Sequence, residues 1–84
     1  MPAGALDAYI GQRLLSLRIE RSEPASRIAV ALGVSTEKLH EFESGGSGMS
    51  ATQLFDACMH FRVSITYFFE GYENVKASHP ERSD

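Results

Sequence analysis

The sequence predicts an all-α fold, a compact five-helix domain with a disordered C-terminal tail. Three observations carry this expectation. Apolar residues recur at spacings of three and four, strand-like alternation is nearly absent, and Gly, Ser and Pro fall between the periodic stretches. The chain has 84 residues, room for one small domain. A chain this short buries roughly 60–65% of the surface its unfolded form exposes, so a partner or a dimer would add to its stability. The expected divisions are a flexible N-terminus (1–4), one domain (5–71) and a polar tail (72–84).

The first helix is expected from Ala5 to Arg21, with Leu6, Ile10, Leu14 and Leu17 on one face. Ser22-Glu23-Pro24 breaks it, and Pro24 opens a second helix because its missing N–H costs nothing in a first turn. That helix reaches Leu32, buries Ile28, Ala29 and Leu32, and ends at Gly33. Ser35 caps a third helix running to Glu43, with Leu39 and Phe42 inward. Ser44-Gly45-Gly46-Ser47-Gly48 reads as a flexible connector. Ser50-Ala51-Thr52-Gln53 is a capping box that starts a fourth helix at Ala51. It runs to Arg62 with Leu54, Phe55, Ala57, Cys58 and Phe61 inward. Ser64 is expected to cap a fifth helix over Ile65–Glu70, closed by Gly71. Beyond Tyr72 the tail holds one large apolar residue, Val75, too few to fold alone.

Charge narrows the function. Eight Lys and Arg face eleven Asp and Glu, a net charge of −3, unlike the basic balance of a bulk nucleic-acid binder. The single cysteine, Cys58, excludes an intramolecular disulfide and suits a reducing cytoplasm. The N-terminus lacks a secretory pattern, and no apolar run approaches membrane-spanning length. No catalytic residue, cofactor or metal site is expected. His60 and His79 form no ligand set with Cys58, and the glycine-rich connector lacks the Lys of a phosphate-binding loop.

Within Ala25–Ser44, apolar residues occupy the fourth, eighth, tenth, fifteenth and eighteenth places: Ile28, Leu32, Val34, Leu39 and Phe42. A small residue, Ala29, is fifth and Gly33 is ninth. This is the pattern of two helices crossing steeply over a tight turn. With Ile10-Gly11-Gln12-Arg13-Leu14, Ala31-Leu32-Gly33-Val34-Ser35 and Tyr67-Phe68-Phe69-Glu70-Gly71, it resembles the lambda-repressor-like, Cro/XRE-type helix-turn-helix family of transcription regulators over roughly residues 9–71.

The resemblance implies that the third helix would lie in a DNA major groove, exposing Thr36, Glu37, Lys38, His40, Glu41 and Ser44. That set suits DNA poorly. From Ser22 to Gly48 two cations (Arg27, Lys38) meet four acids (Glu23, Glu37, Glu41, Glu43), facing a polyanion with a charge every ~1.7 Å of axis. Family members commonly carry Gln where this chain has Ala25, and arginines where it has Ser44 and Gly48. The expected function is therefore regulation through protein contacts, by masking a transcription activator, with weak or no DNA binding. Antiactivators that restrain quorum-sensing activators resemble such diverged domains. The alternative is a DNA-binding dimeric repressor in which Arg13, Arg18, Arg21 and Arg27 hold phosphates.

Each residue also has a plainer role. Glu37 and Glu41 suit a solvated helix face, and Glu43 suits a structural pair with Arg13 or Arg18. Tyr67, Phe68, Phe69 and Tyr72 are offered either as cover for the first helix or as a dimer or partner contact. Phe68 and Phe69 cannot both face one core.

Overall fold

The computed structural model describes residues 4–72. It contains α1 (Ala5–Glu20), α2 (Ala25–Leu32), α3 (Thr36–Ser44), α4 (Ala51–Phe61) and the single turn α5 (Thr66–Phe69). No strand occurs among the described residues. The expected tail lies outside them, apart from its first residue, Tyr72. That ring packs on Tyr9 of α1, with centroids 5.3 Å apart.

Local chemistry explains the helix ends. Pro24 precedes α2 in extended conformation. Gly33 takes φ 71°, a left-handed backbone that a Cβ disfavours. There the Val34 N–H donates to the Ala29 carbonyl (3.0 Å) and the Gly33 N–H to the Val30 carbonyl (3.1 Å), the Schellman pattern that satisfies a helix end. Ser50 and Gln53 form the expected reciprocal box, at 3.1 and 2.8 Å. The cap expected of Ser64 is not made. Its carbonyl, not its hydroxyl, receives the Tyr67 N–H (3.0 Å), and the short turn begins after Ile65.

The core is formed by Ile10, Leu14 and Leu17 of α1, Ile28 and Leu32 of α2, Leu39 and Phe42 of α3, Leu54 and Phe61 of α4, and Phe68 of α5. Two residues expected inside are not. Leu6 is 38% exposed. At its height α1 meets the glycine-rich connector, where Gly45 approaches Ala8 and Gly48 approaches Asp7, and glycines offer no side chain to cover it. The connector is thus packed on α1 and does not hang free. Phe55 is 58% exposed because the buried stripe of α4 is Leu54, Ala57, Cys58 and Phe61. One residue turns a helix by about 100°, which carries Phe55 off that stripe.

Helices α1 and α3 pack very closely at Gly11. A Cβ built there would overlap the Phe42 carbonyl oxygen. The glycine thus lets the α1 backbone run against the back of α3 and sets how far α3 stands out from the body.

Candidate interaction surface on the third helix

The turn from Gly33 to Ser35 delivers α3 at the surface. The Ser35 hydroxyl accepts the Lys38 N–H at 3.0 Å, satisfying one of the unpaired donors at the helix start. Leu39, Phe42 and Glu43 face inward. Thr36, Glu37, Lys38, His40, Glu41 and Ser44 are all exposed, as the sequence pattern predicts.

Those six side chains do not contribute equally. Lys38 Nζ lies 3.3 Å from Glu41 Oε1 and 3.2 Å from Ser47 Oγ, while the Ser47 hydroxyl donates to the same Glu41 oxygen at 3.2 Å. The one cation of α3 is thereby held against an acid of its own helix. The Ser44 hydroxyl donates to the Glu41 carbonyl (3.2 Å). His40 Nδ1 is 3.4 Å from Glu43 Oε1. Glu37 has no ion-pair partner among the described residues. It occupies the first turn, where the helix dipole favours an acid.

Beneath this face, Arg18 of α1 clamps Glu43. Nε reaches Oε2 at 2.7 Å and Nη2 reaches Oε1 at 3.2 Å, and Nη1 donates to the Glu23 carbonyl at 3.2 Å. Glu43 is 4% exposed, so the pair fixes α3 on α1 from within. Of the two arginines the sequence offers for this role, the structure selects Arg18.

The other first-helix arginines are also engaged. Arg13 donates through Nε and Nη2 to the Tyr67 carbonyl at 3.0 and 2.7 Å and through Nη2 to Glu70 Oε1 at 3.1 Å. Its guanidinium sits 4.0 Å from the Tyr67 ring centroid. Arg21 donates to the Phe61 carbonyl at 3.0 Å. Glu23, at the mouth of the α1–α2 loop, meets His60 Nε2 at 2.8 Å. Among the described residues only Arg27 and Arg62 are cations without a hydrogen-bonded partner.

The aromatic cluster divides. Phe68 is buried, and Phe69 is 37% exposed. Tyr67 lies under Arg13, and Tyr72 lies on Tyr9. The Tyr9 hydroxyl also donates to the Glu70 carbonyl. Most of the cluster therefore covers α1. Phe55, Met59 and Ile65 are exposed along one groove, although the periodicity places Phe55 inside. The signal of that exposure in the sequence is the position of Phe55 and Met59 one step beyond the α4 stripe. Among the described residues, no group of three or more His, Cys, Asp or Glu is placed to hold a metal ion. Burial raises the Cys58 thiol above its ordinary value, against a smaller opposing backbone hydrogen bond, so it is a poor nucleophile.

A Schellman-ended helix, a short turn and an exposed helix held from behind define a helix-turn-helix domain. No protein-family model matches the chain. It is 31% identical over 74 residues to an uncharacterized transcriptional regulator in the ATPase CF(0) region of Rhodospirillum rubrum, covering 88% of this chain and 68% of that one. It is 28% identical over 75 residues to an uncharacterized HTH-type transcriptional regulator of Rickettsia prowazekii, covering 89% of this chain and 58% of that one. The clp gene regulator ClgR of Corynebacterium glutamicum superimposes with a TM-score of 0.72 at 26% identity, over 79% of this chain and 86% of its own. The chain belongs to the Cro/XRE-type helix-turn-helix transcriptional regulators, and is a regulator rather than an enzyme. No helix among the described residues is long and apolar enough to cross a membrane.

Proposed function

We propose that this domain regulates transcription in the bacterial cytoplasm mainly through protein contacts. In this reading the α3 face binds and masks a transcription activator, and affinity for DNA is weak or absent. The supporting observation is the commitment of the cations. Arg13, Arg18 and Arg21 are bonded within the fold, and Lys38 is held by Glu41. A helix-turn-helix domain that binds DNA at physiological salt needs several cations free to displace counterions, each contributing a salt slope of about −0.9. Glu37 and Glu41 instead present acid where a duplex would present phosphate. An acidic face of this kind complements a basic surface, such as the DNA-binding patch of an activator.

The repressor reading is favoured by one feature. Arg27 is exposed on α2 and lacks a partner among the described residues, which leaves it free for a phosphate. The two readings separate in a paired experiment. Fluorescence anisotropy with host promoter fragments at roughly 150 mM salt, where exposed charges are screened over about 8 Å, is expected to show no tight, specific binding. Glu37→Lys/Glu41→Lys is expected to abolish capture of the activator and release its target promoter. Unchanged capture and unchanged repression would remove α3 as the contact surface. Tight, specific DNA binding would restore the repressor.

A further inference from the structure

The outward face of α3 holds two acids in different surroundings. Glu37 has no ion-pair partner among the described residues. Glu41 is fixed at both ends. Its carbonyl accepts the Gly46 and Ser47 N–H groups at 2.9 and 3.2 Å and the Ser44 hydroxyl at 3.2 Å. These bonds fold the glycine-rich connector back over the helix end and bring Ser47 to the Glu41 carboxylate. There Lys38 Nζ, Glu41 Oε1 and Ser47 Oγ close a triangle with sides of 3.3, 3.2 and 3.2 Å. The ammonium also lies 6.0 Å from the centroid of the buried Phe42 ring. A lone exposed pair holds a lysine weakly, but this one is bounded by a second oxygen and an aromatic face.

The consequence is electrostatic. Arg27 and Lys38 are the only Lys or Arg residues of α2 and α3, so Glu41 engages one of the two cations these helices could offer a duplex. A Lys38 that turns to a phosphate exchanges one anion for another. It also leaves Glu41 uncompensated beside a polyanion. Glu37 repels the same duplex through its charge alone and engages no cation. The two acids thus act differently: both repel phosphate, and Glu41 also withholds the cation that would bind it.

We propose that Glu41 is the positioning residue that excludes nucleic acid from the α3 face, by holding Lys38 away from phosphate. The proposal rests on the reading of α3 as a protein-binding face and names the side chain that makes it selective. Fluorescence anisotropy of the full 84-residue chain with a short mixed-sequence duplex tests it, between ~50 and ~200 mM salt, where counterion release is read as a slope. Glu41→Gln is expected to bind roughly tenfold more tightly at ~50 mM salt, with a slope of log affinity against log salt steeper by about 0.9, the value of one added phosphate contact. Glu37→Gln removes the same charge and is expected to gain less, at the wild-type slope. Lys38→Met placed in the Glu41→Gln chain is expected to return the slope to that of the wild type. All three positions are exposed, so helical circular dichroism is expected to stay unchanged. A Glu41→Gln chain that gains nothing overturns the proposal. So do equal slopes for Glu41→Gln and Glu37→Gln, because net charge would then explain the gain, and so does a steep slope that survives Lys38→Met. None of these results touches the masking of an activator, which capture by the wild-type chain decides separately. A wild-type chain that already binds the duplex tightly at roughly 150 mM salt, where exposed charges are well screened, overturns both.

Discussion

Replacing Arg18 with methionine should remove a large share of the stability that keeps this domain folded. The guanidinium and the Glu43 carboxylate meet at 2.7 Å with side chains only 15% and 5% exposed. Breaking a buried pair leaves one charge without compensation, at a cost of about 3–5 kcal/mol. The lower end applies, because Arg18 is not fully enclosed and His40 remains 3.4 Å from Glu43 Oε1. A domain of this length has a total stability of roughly 4–12 kcal/mol, so a loss of about 3 kcal/mol is a large share of it. At about 4–8 °C per kcal/mol for small domains, the melting midpoint should fall by roughly 12–24 °C. Urea unfolding followed by far-UV circular dichroism measures the loss. The double Arg18→Met/Glu43→Met change should recover most of it, since replacing both charges with apolar groups of similar volume is often nearly neutral. A single-variant loss below about 1 kcal/mol, the value of a solvent-exposed pair, would refute the reasoning. So would a double variant no more stable than the single.

Three further outcomes follow from the same geometry. Gly11→Ala forces a Cβ into the Phe42 carbonyl, and the strain should cost about 1–3 kcal/mol, read as a lower urea midpoint with an unchanged slope. Arg13→Ala frees the Tyr67 carbonyl and Glu70, and amide exchange at residues 67–72 should quicken well before α2–α3 is affected; equal change in both regions would contradict it. Cys58 is buried with its thiol raised by that burial, so its stabilising effect is full below the unfolded thiol's titration and fades as pH rises through the folded one. Alkylation at mildly alkaline pH should be slow in the native chain and fast in urea, and comparable rates in both would show an open thiol.

Local signals in this chain were strong where they concern one helix at a time. Gly33, Ser35 and the Ser50–Gln53 box mark helix ends because caps act within a few residues of themselves. The buried faces of α2 and α3 and the acidic outward face of α3 follow from the 3.6-residue period. The period says less about edges, which is why Leu6 and Phe55 were expected inside. Whether such a residue is covered depends on what the facing element offers at that height.

The amino-acid order thus specified the helices, the turn between α2 and α3, and the sign of the charge that α3 presents. It did not specify which cations are free. Arg13 finds its carbonyl 54 residues away and Arg21 finds its own 40 residues away, and those meetings exist only once the helices cross. Gly11 is small for a reason that lies on α3, where a Cβ would meet the Phe42 carbonyl. Periodicity and capping act through neighbouring residues, whereas partner choice and exposure are set by crossing geometry between distant segments.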